Sequence, residues 1–121
     1  MKDNALITLS KQFAVAVIKL CTDKNQKNRN VLYDQLIRAG TSIGANIHEG
    51  NYASSKADFI NKFHIALKEC YETEYWLDIF IETDFITMEE YKNLQAKCNK
   101  IRIMLIASIN TANSSTTQEK Q

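Results

Sequence analysis

The side chains that could bind a metal or act as catalytic bases are few and scattered. The two histidines, His48 and His64, are far apart in the sequence. Neither is accompanied by a cysteine, or by a glutamate in a repeated motif, at the spacing that metal ligands require. The Glu-x-x-His pair that marks di-iron helical bundles does not occur. An isolated histidine is more often exposed or singly hydrogen-bonded than a ligand. We therefore predict no metal site, no cofactor and no small-molecule substrate.

The cysteines and glycines do not indicate an enzyme either. Cys21, Cys70 and Cys98 are too few and too widely spaced for a disulfide scaffold, which favours a cytoplasmic protein. They fall on predicted apolar stripes, so we expect buried, inert thiols. Gly40 and Gly44 lie inside a predicted helix, which argues against a phosphate-cradling loop between a strand and a helix. We predict that the chain is not an enzyme.

The composition indicates one helical domain. The 121 residues are 45% apolar and 24% charged, with no proline and three glycines. This balance is typical of a globular protein with long helices and disfavours a β-sandwich or barrel. There is no run of about 18 apolar residues, and Met1 to Asn4 lack the layout of a signal peptide, so we expect neither a membrane span nor secretion.

Four segments repeat apolar residues at helical spacing. Candidate caps precede three of them: Asn28 or Asn30, then Ser55, then a Thr87–Glu90 capping box. The predicted helices cover about 4–22, 29–50, 55–82 and 88–110.

Long amphipathic helices joined by short loops predict an all-α fold, an antiparallel up-down-up-down four-helix bundle. We expect the bundle to span residues 1–110 and a flexible polar tail to follow at residues 111–121.

The second predicted helix has two different flanks beside its apolar stripe. Gly40 and Gly44 lie in mid-helix, where glycine costs about 0.8 to 1 kcal/mol relative to alanine. We therefore predict that a neighbouring helix approaches this flank closely. The other flank is a polar ladder, which either faces solvent or forms a structural hydrogen-bond network with a neighbour. The residues assigned to that network are Arg38, Ser42, Asn46, Glu49 and Glu74.

Two helices carry more apolar surface than one bundle interior needs. The third has a second apolar set away from its seam, and the fourth is apolar almost all round from Ile101 to Ile109. Self-association commonly buries such faces, although scattered apolar surface residues are also normal. The candidate oligomer-interface residues are Ile65, Trp76, Ile79, Ile103 and Met104.

The charge is unevenly distributed around a net value of +1. Residues 1–40 hold seven Lys or Arg against three Asp or Glu, whereas residues 71–90 hold seven acids and no base. A basic patch repeated in an oligomer would attract a phosphate backbone. The bases could instead pair with the acids between residues 82 and 90, which the topology puts at the same end. The candidate nucleic-acid-binding residues are Lys11, Lys19, Lys24, Lys27 and Arg29.

Two stretches resemble a family signature. The first is Arg38-Ala39-Gly40-Thr41-Ser42-Ile43-Gly44-Ala45-Asn46-Ile47-His48-Glu49-Gly50. The second is Phe63-His64-Ile65-Ala66-Leu67-Lys68-Glu69, followed by Glu72-Thr73-Glu74-Tyr75-Trp76-Leu77. Over residues 5–110 the chain resembles the bacterial four-helix-bundle proteins encoded by intervening sequences of 23S ribosomal RNA genes. His48 stands where members generally have alanine or glutamate, at an outward position.

The resemblance implies an architecture but no established activity. Family members are similar to the accessory variability protein of diversity-generating retroelements, a homopentamer that binds nucleic acid and a reverse transcriptase through a basic surface. The resemblance thus implies a homopentamer with RNA or DNA as a partner. The alternative is a protein–protein interaction scaffold whose basic residues only solubilise the protein or form ion pairs.

Overall fold

The apolar stripes of four helices meet in one core. A computed structural model describes the backbone of residues 4–120 and the side chains of residues 5–114. The helices are α1 (Asn4–Lys27), α2 (Leu32–Asn51), α3 (Lys56–Glu82) and α4 (Met88–Lys120). That part of the chain contains no strand, and the predicted all-α four-helix bundle is confirmed.

The helices stand at the corners of a square in chain order. Consecutive helices pack together and α1 also packs on α4, whereas among the described residues no Cα atoms of α1 and α3, or of α2 and α4, lie within 8 Å of each other. The α1/α2 side of the bundle is therefore opposite the α3/α4 side. The buried stripe of α3 shows how regular the packing is: it consists of Phe59, Phe63, Ala66, Cys70, Thr73, Leu77 and Phe80.

An aromatic cluster closes the core at the end of the bundle that carries the α1–α2 and α3–α4 connections. The Tyr33 and Phe80 rings meet edge to face, with centroids 5.5 Å apart. Phe85, in the α3–α4 connection, lies 5.3 Å from both rings. The Tyr33 hydroxyl donates a hydrogen bond to the Phe85 carbonyl oxygen at 3.4 Å, so the buried phenol keeps a polar partner.

The predicted helix starts are largely confirmed. The Ser55 hydroxyl accepts a hydrogen bond from the Asp58 amide at 3.1 Å. Thr87 and Glu90 form the reciprocal capping box: the Thr87 amide donates to Glu90 Oε1 at 2.8 Å and the Glu90 amide donates to Thr87 Oγ1 at 3.1 Å. Helix α2 differs: it begins at Leu32, later than predicted, and its N-cap residue Val31 makes no side-chain capping hydrogen bond. Asn30, one residue before the N-cap, accepts a hydrogen bond at Oδ1 from the Leu32 amide at 2.9 Å.

Two helices run further than the sequence pattern predicts. α1 continues past residue 22 to Lys27, and its last turn includes a Lys27–Asp23 ion pair. α4 continues past residue 110 to Lys120, so residues 111–120, predicted as a polar tail, are helical. Ala112 extends the core stripe and is fully buried. Gln121 lies outside the described residues.

Helix α1 is unusually apolar for a helix at the corner of a bundle. The stretch Ala5–Lys27 is long and apolar enough in composition to cross a membrane, a test that core helices of soluble proteins also pass. The sequence pattern had indicated no such stretch. Here Leu6, Phe13 and Val17 are fully buried in the core, but only 28% of the most apolar window of α1 is buried. Much of its apolar surface therefore has no partner within one copy of the chain.

Candidate interaction surfaces

Helix α2 presents its glycines to α1. An added Cβ at Gly40 would lie 3.2 Å from the Val17 methyl groups, and one at Gly44 would lie 3.4 Å from the Ser10 carbonyl oxygen. The close approach predicted from the glycine-rich run is therefore present. The absence of a side chain permits this approach: a Cβ at Gly40 would press on Val17, whereas one at Gly44 would just reach an ordinary contact distance from Ser10.

The polar flank of α2 joins it to α3. Arg38 forms ion pairs with Glu69, at 3.5 Å, and with Glu72. One turn from the end of the helix, Glu49 pairs with Lys62 at 3.4 Å. The predicted network thus spans two helices along its charged members.

The two uncharged members of the predicted network hydrogen-bond within α2 itself. Ser42 Oγ donates to the Arg38 carbonyl at 2.7 Å, and Asn46 Nδ2 donates to the Ser42 carbonyl at 2.8 Å. These bonds place both side chains along the flank without reaching a neighbouring helix.

Glu74 does not belong to this network, contrary to the sequence-based assignment. It pairs with Arg102 of α4, with Nε and Oε1 2.9 Å apart. Five residues separate Glu74 from Glu69, which turns a helix by about 140° and carries the side chain to the opposite flank of α3. The bond to Glu74 is the main cause that raises the pKa of Arg102. Arg102 had not been singled out, because it lies within a nearly continuous apolar run.

The predicted basic patch divides into two groups. Lys24 pairs with Glu90 of α4 at 2.9 Å, and Lys27 pairs with Asp23 at 3.6 Å. Lys11, Lys19 and Arg29 are exposed. Among the side chains that the structure describes, no ion pair involves those three. Of the five predicted basic residues, these three are therefore the most available to an anionic partner.

Most of the predicted interface residues turn out to be half-buried. Trp76, Ile79 and Met104 pack against the core, and Ile65 is also partly covered. Ile103 alone among the five is largely exposed, at 55%. Bulky residues on the flanks of a helix still reach its neighbours, so four of the five candidates offer only part of their side chains to a second copy.

The larger exposed apolar side chains lie elsewhere. Val15 and Ile18 of α1 are 43% and 42% exposed, and Tyr71 and Tyr75 of α3 are 50% and 57% exposed. On α1 the sequence feature that could have indicated this surface is the set of apolar residues beside the core stripe. On α3 the corresponding sequence feature is the pair of tyrosines one turn apart, which share a face of the helix.

A groove runs along the outside of the bundle between α1 and α2. It encloses about 270 Å³, and its floor is made of small residues. We call it the α1/α2 groove; its lining residues are Ile7, Ser10, Lys11, Ala14, Thr41, Gly44, Ala45 and His48. Val15 lies beside it in an adjoining depression that shares Ile7 and Lys11, and Ile18 follows Ala14 by one turn.

Comparison with known proteins agrees with the signature in α2 and α3. The model of the 23S rRNA-intervening sequence proteins matches residues 2–107. This chain belongs to that family. A similar solved structure is a protein of unknown function from the S23 ribosomal protein family of Bacteroides thetaiotaomicron. The two are 44% identical, the TM-score is 0.83, and the alignment covers 86% of this chain and 97% of the other. No curated protein matches.

The cysteines of this 23S rRNA-intervening sequence protein are buried, as predicted. Burial raises the pKa of the Cys21 thiol to about 12. The pKa of the Cys70 thiol is also raised, mainly by a side-chain hydrogen bond with Cys98 and to a smaller extent by burial. Separately, Cys98 Sγ donates a hydrogen bond to the Cys70 carbonyl oxygen at 3.7 Å. The Cys21 and Cys70 thiols are therefore protonated near neutral pH and are weak nucleophiles.

The family member's acidic, histidine and cysteine side chains are also dispersed. Among residues 5–114, no three of these side chains are close enough together to hold a metal ion. The features that this structure does present to a partner are therefore surfaces: the α1/α2 groove, the exposed tyrosines of α3 and the unpaired cations.

Proposed function

We propose that this intervening-sequence protein is a non-enzymatic, cytoplasmic homo-oligomer that binds RNA or DNA through basic residues associated with α1. One observation carries the proposal: the outer face of α1 combines uncovered apolar side chains with unpaired cations. Val15 and Ile18 are more than two-fifths exposed, and α1 contains no carboxylate before Asp23.

The apolar half of that face supports self-association. A contiguous apolar surface in water is unfavourable, and identical copies commonly cover it for one another. The resemblance of the family to the accessory variability protein of diversity-generating retroelements suggests that the assembly is a homopentamer. Light scattering measures the copy number directly, and a pentamer is the expected result.

The basic half supports binding of a phosphate backbone. Lys11, Lys19 and Arg29 make no ion pair within the described chain, and an oligomer would repeat each of them around one particle. Association with polyanions is strengthened by release of condensed counterions and therefore depends steeply on salt. Lys19 and Arg29 lie outside the α1/α2 groove and remain accessible when the groove is covered.

The test is fluorescence anisotropy with labelled single-stranded and duplex RNA and DNA. We expect binding at about 50 mM salt and an affinity at least roughly tenfold weaker at about 200 mM. The Lys19→Glu/Arg29→Glu variant should lose most of this affinity. Lys68→Glu on α3 is the matched control because Lys68 is also exposed. Binding by the double variant equal to that of the wild type would rule out these residues as the contact.

A protein–protein interaction scaffold is the second candidate function. The Lys24–Glu90 ion pair favours it, since it commits one of the five predicted basic residues to a contact between α1 and α4. In that case wild-type protein would bind none of the nucleic acids even at about 50 mM salt, while remaining oligomeric.

A further inference from the structure

Two uncovered apolar surfaces lie on opposite sides of the bundle. The first is the α1/α2 groove with Val15 and Ile18 along its α1 edge. The second is formed by Tyr71, Tyr75 and Ile103, which we call the α3/α4 ridge; each is at least half exposed. Because the helices form a square in chain order, one copy can offer both surfaces at once.

The two surfaces are complementary in shape. The groove is concave and floored by Gly44, Ala45 and Ala14, small residues that leave room for bulky partners. The ridge consists of two tyrosines one turn apart and an isoleucine on the next helix. Arg102 of α4 lies with its guanidinium carbon 5.8 Å from the centre of the Tyr71 ring and holds that ring beside α4. Tyrosine supplies a large contact area at low conformational cost, as is common at protein interfaces.

The surfaces are also complementary in charge at one end of the ridge. Lys11 lines the groove, and α1 has no carboxylate before Asp23. Lys68 and Arg102 lie at the Tyr71 end of the ridge, but the stretch of α3 from Tyr71 to Glu82 itself carries four carboxylates and no cation. Glu72 and Glu74 pair within the same copy, but Asp78 accepts only a neutral partner, the Tyr91 hydroxyl at 2.6 Å, and Glu82 is exposed. Complementary charges favour one docking partner over another.

We propose that the α1/α2 groove of one copy binds the α3/α4 ridge of a second copy. The proposal rests on the oligomer proposed above and identifies its contact. Groove against groove would bring two Lys11 cations into one contact whose lining holds no carboxylate, which like-charge repulsion disfavours. A groove-to-ridge contact is heterologous: each copy uses two different surfaces, and the assembly closes into a ring or extends as a filament.

The test uses variants that block one surface each. Ala45→Arg fills the groove at an exposed position, and Tyr75→Lys/Ile103→Lys places cations on the ridge. Gln35→Arg is the matched control, because Gln35 is exposed on the Arg38 flank of α2, away from both surfaces. Far-UV circular dichroism and urea unfolding establish that each variant folds. Analytical ultracentrifugation then measures association.

We expect each blocked variant to associate at least tenfold more weakly than wild type and the control to assemble normally. The decisive step is mixing. The groove-blocked copy keeps its ridge and the ridge-blocked copy keeps its groove, so an equimolar mixture should form a one-to-one dimer that grows no further.

Three results would overturn the proposal. If both blocked variants assemble like wild type, the contact is elsewhere and only the oligomer stands. If the ridge-blocked variant dimerises alone and mixing adds no species, the groove pairs with itself. If wild type stays monomeric at high concentration, this contact and the proposed oligomer fail together.

Discussion

Each glycine of α2 faces a different neighbour, so the same methyl group should have different effects at each position. Gly44 sits against the Ser10 backbone and hydroxyl, at an ordinary contact distance of 3.4 Å for an added Cβ. An added Cβ at Gly50 would lie only 2.8 Å from the ring of Phe63, and that ring is fully buried. At Gly50 the neighbour is part of the core and has little room to move.

We predict that Gly44→Ala raises the free energy of unfolding by up to about 1 kcal/mol, through helix propensity. Gly50→Ala should lower it by roughly 1 to 2 kcal/mol, because overpacking against Phe63 outweighs the same propensity gain. Urea unfolding at a fixed protein concentration measures both. Equal effects at the two positions would show that the Phe63 ring yields without cost.

Residue-level contacts differ in how far they could be predicted from the sequence. The approach of α1 to Gly40 and Gly44 followed from glycines placed where a helix otherwise avoids them. The partner of Glu74 did not follow, because periodicity fixes the flank of a residue but not which neighbouring helix lies there. The sequence left open whether Lys24 binds a phosphate backbone or pairs with an acid at the same end of the bundle. Its pairing with Glu90 could not be chosen without the positions of the two side chains.

At the scale of the helices, α4 has the best-defined start in the chain. The Thr87–Glu90 capping box satisfies two backbone amides, and Glu90 also reaches Lys24 at the end of α1. Partial burial opposes ionisation of Glu90, but hydrogen bonds from the Thr87 amide and from Lys24 outweigh it and hold its pKa below the ordinary value of 4.5. One carboxylate thus caps a helix and ties it to another.

We predict that Thr87→Ala lowers the free energy of unfolding by about 1 kcal/mol, through loss of the cap. Glu90→Gln can keep the box but loses the charge, and should cost up to about 1 kcal/mol near neutral pH. Glu89→Gln is the control for Glu90→Gln, because Glu89 lies in the same first turn and is exposed.

The effect of Glu90→Gln should depend on pH. A carboxylate with a lowered pKa in the folded state stabilises the fold above its ordinary pKa, and this contribution is lost as the pH falls through the lowered value. The difference between wild type and Glu90→Gln should therefore shrink on acidification below 4.5. A difference that is constant with pH would contradict the Lys24 contact in solution.

The helix ends illustrate what a sequence pattern can and cannot define. Ser55 and the Thr87–Glu90 pair are explicit start signals, and both function as such. The end of α4 has no comparable signal: the chain becomes polar after residue 110, but neither proline nor glycine interrupts it. Ala112 is buried against the core, and this tertiary contact stabilises the helix beyond residue 110 although the segment is polar in composition.

At the scale of the molecule, the α1 side of the bundle, one of its two uncovered surfaces, is more apolar than a solitary protein needs. The core stripe of α1 is buried, while Val15 and Ile18 beside it are not. The family and the four-helix architecture could be predicted from the sequence. The location of the uncovered surface could not, because it depends on which flanks neighbouring helices cover.

If copies cover this side for one another, stability must depend on protein concentration. We predict that the melting temperature rises by several degrees between about 1 and about 100 μM protein, since association favours the folded state by mass action. Differential scanning calorimetry measures the shift. The Ala45→Arg variant should show little of it, and a wild-type melting temperature that does not change with concentration would exclude assembly in this range.

The square arrangement also bears on how the chain reaches its fold. Every helix interface except α1/α4 joins helices that are consecutive in the chain, so most loops to be closed are short and their entropic cost is small. Topologies of this kind fold fast. During synthesis, the α1–α2 hairpin can form while α3 is still being translated, which shields part of the core stripe of α1 early and limits aggregation of the nascent polypeptide.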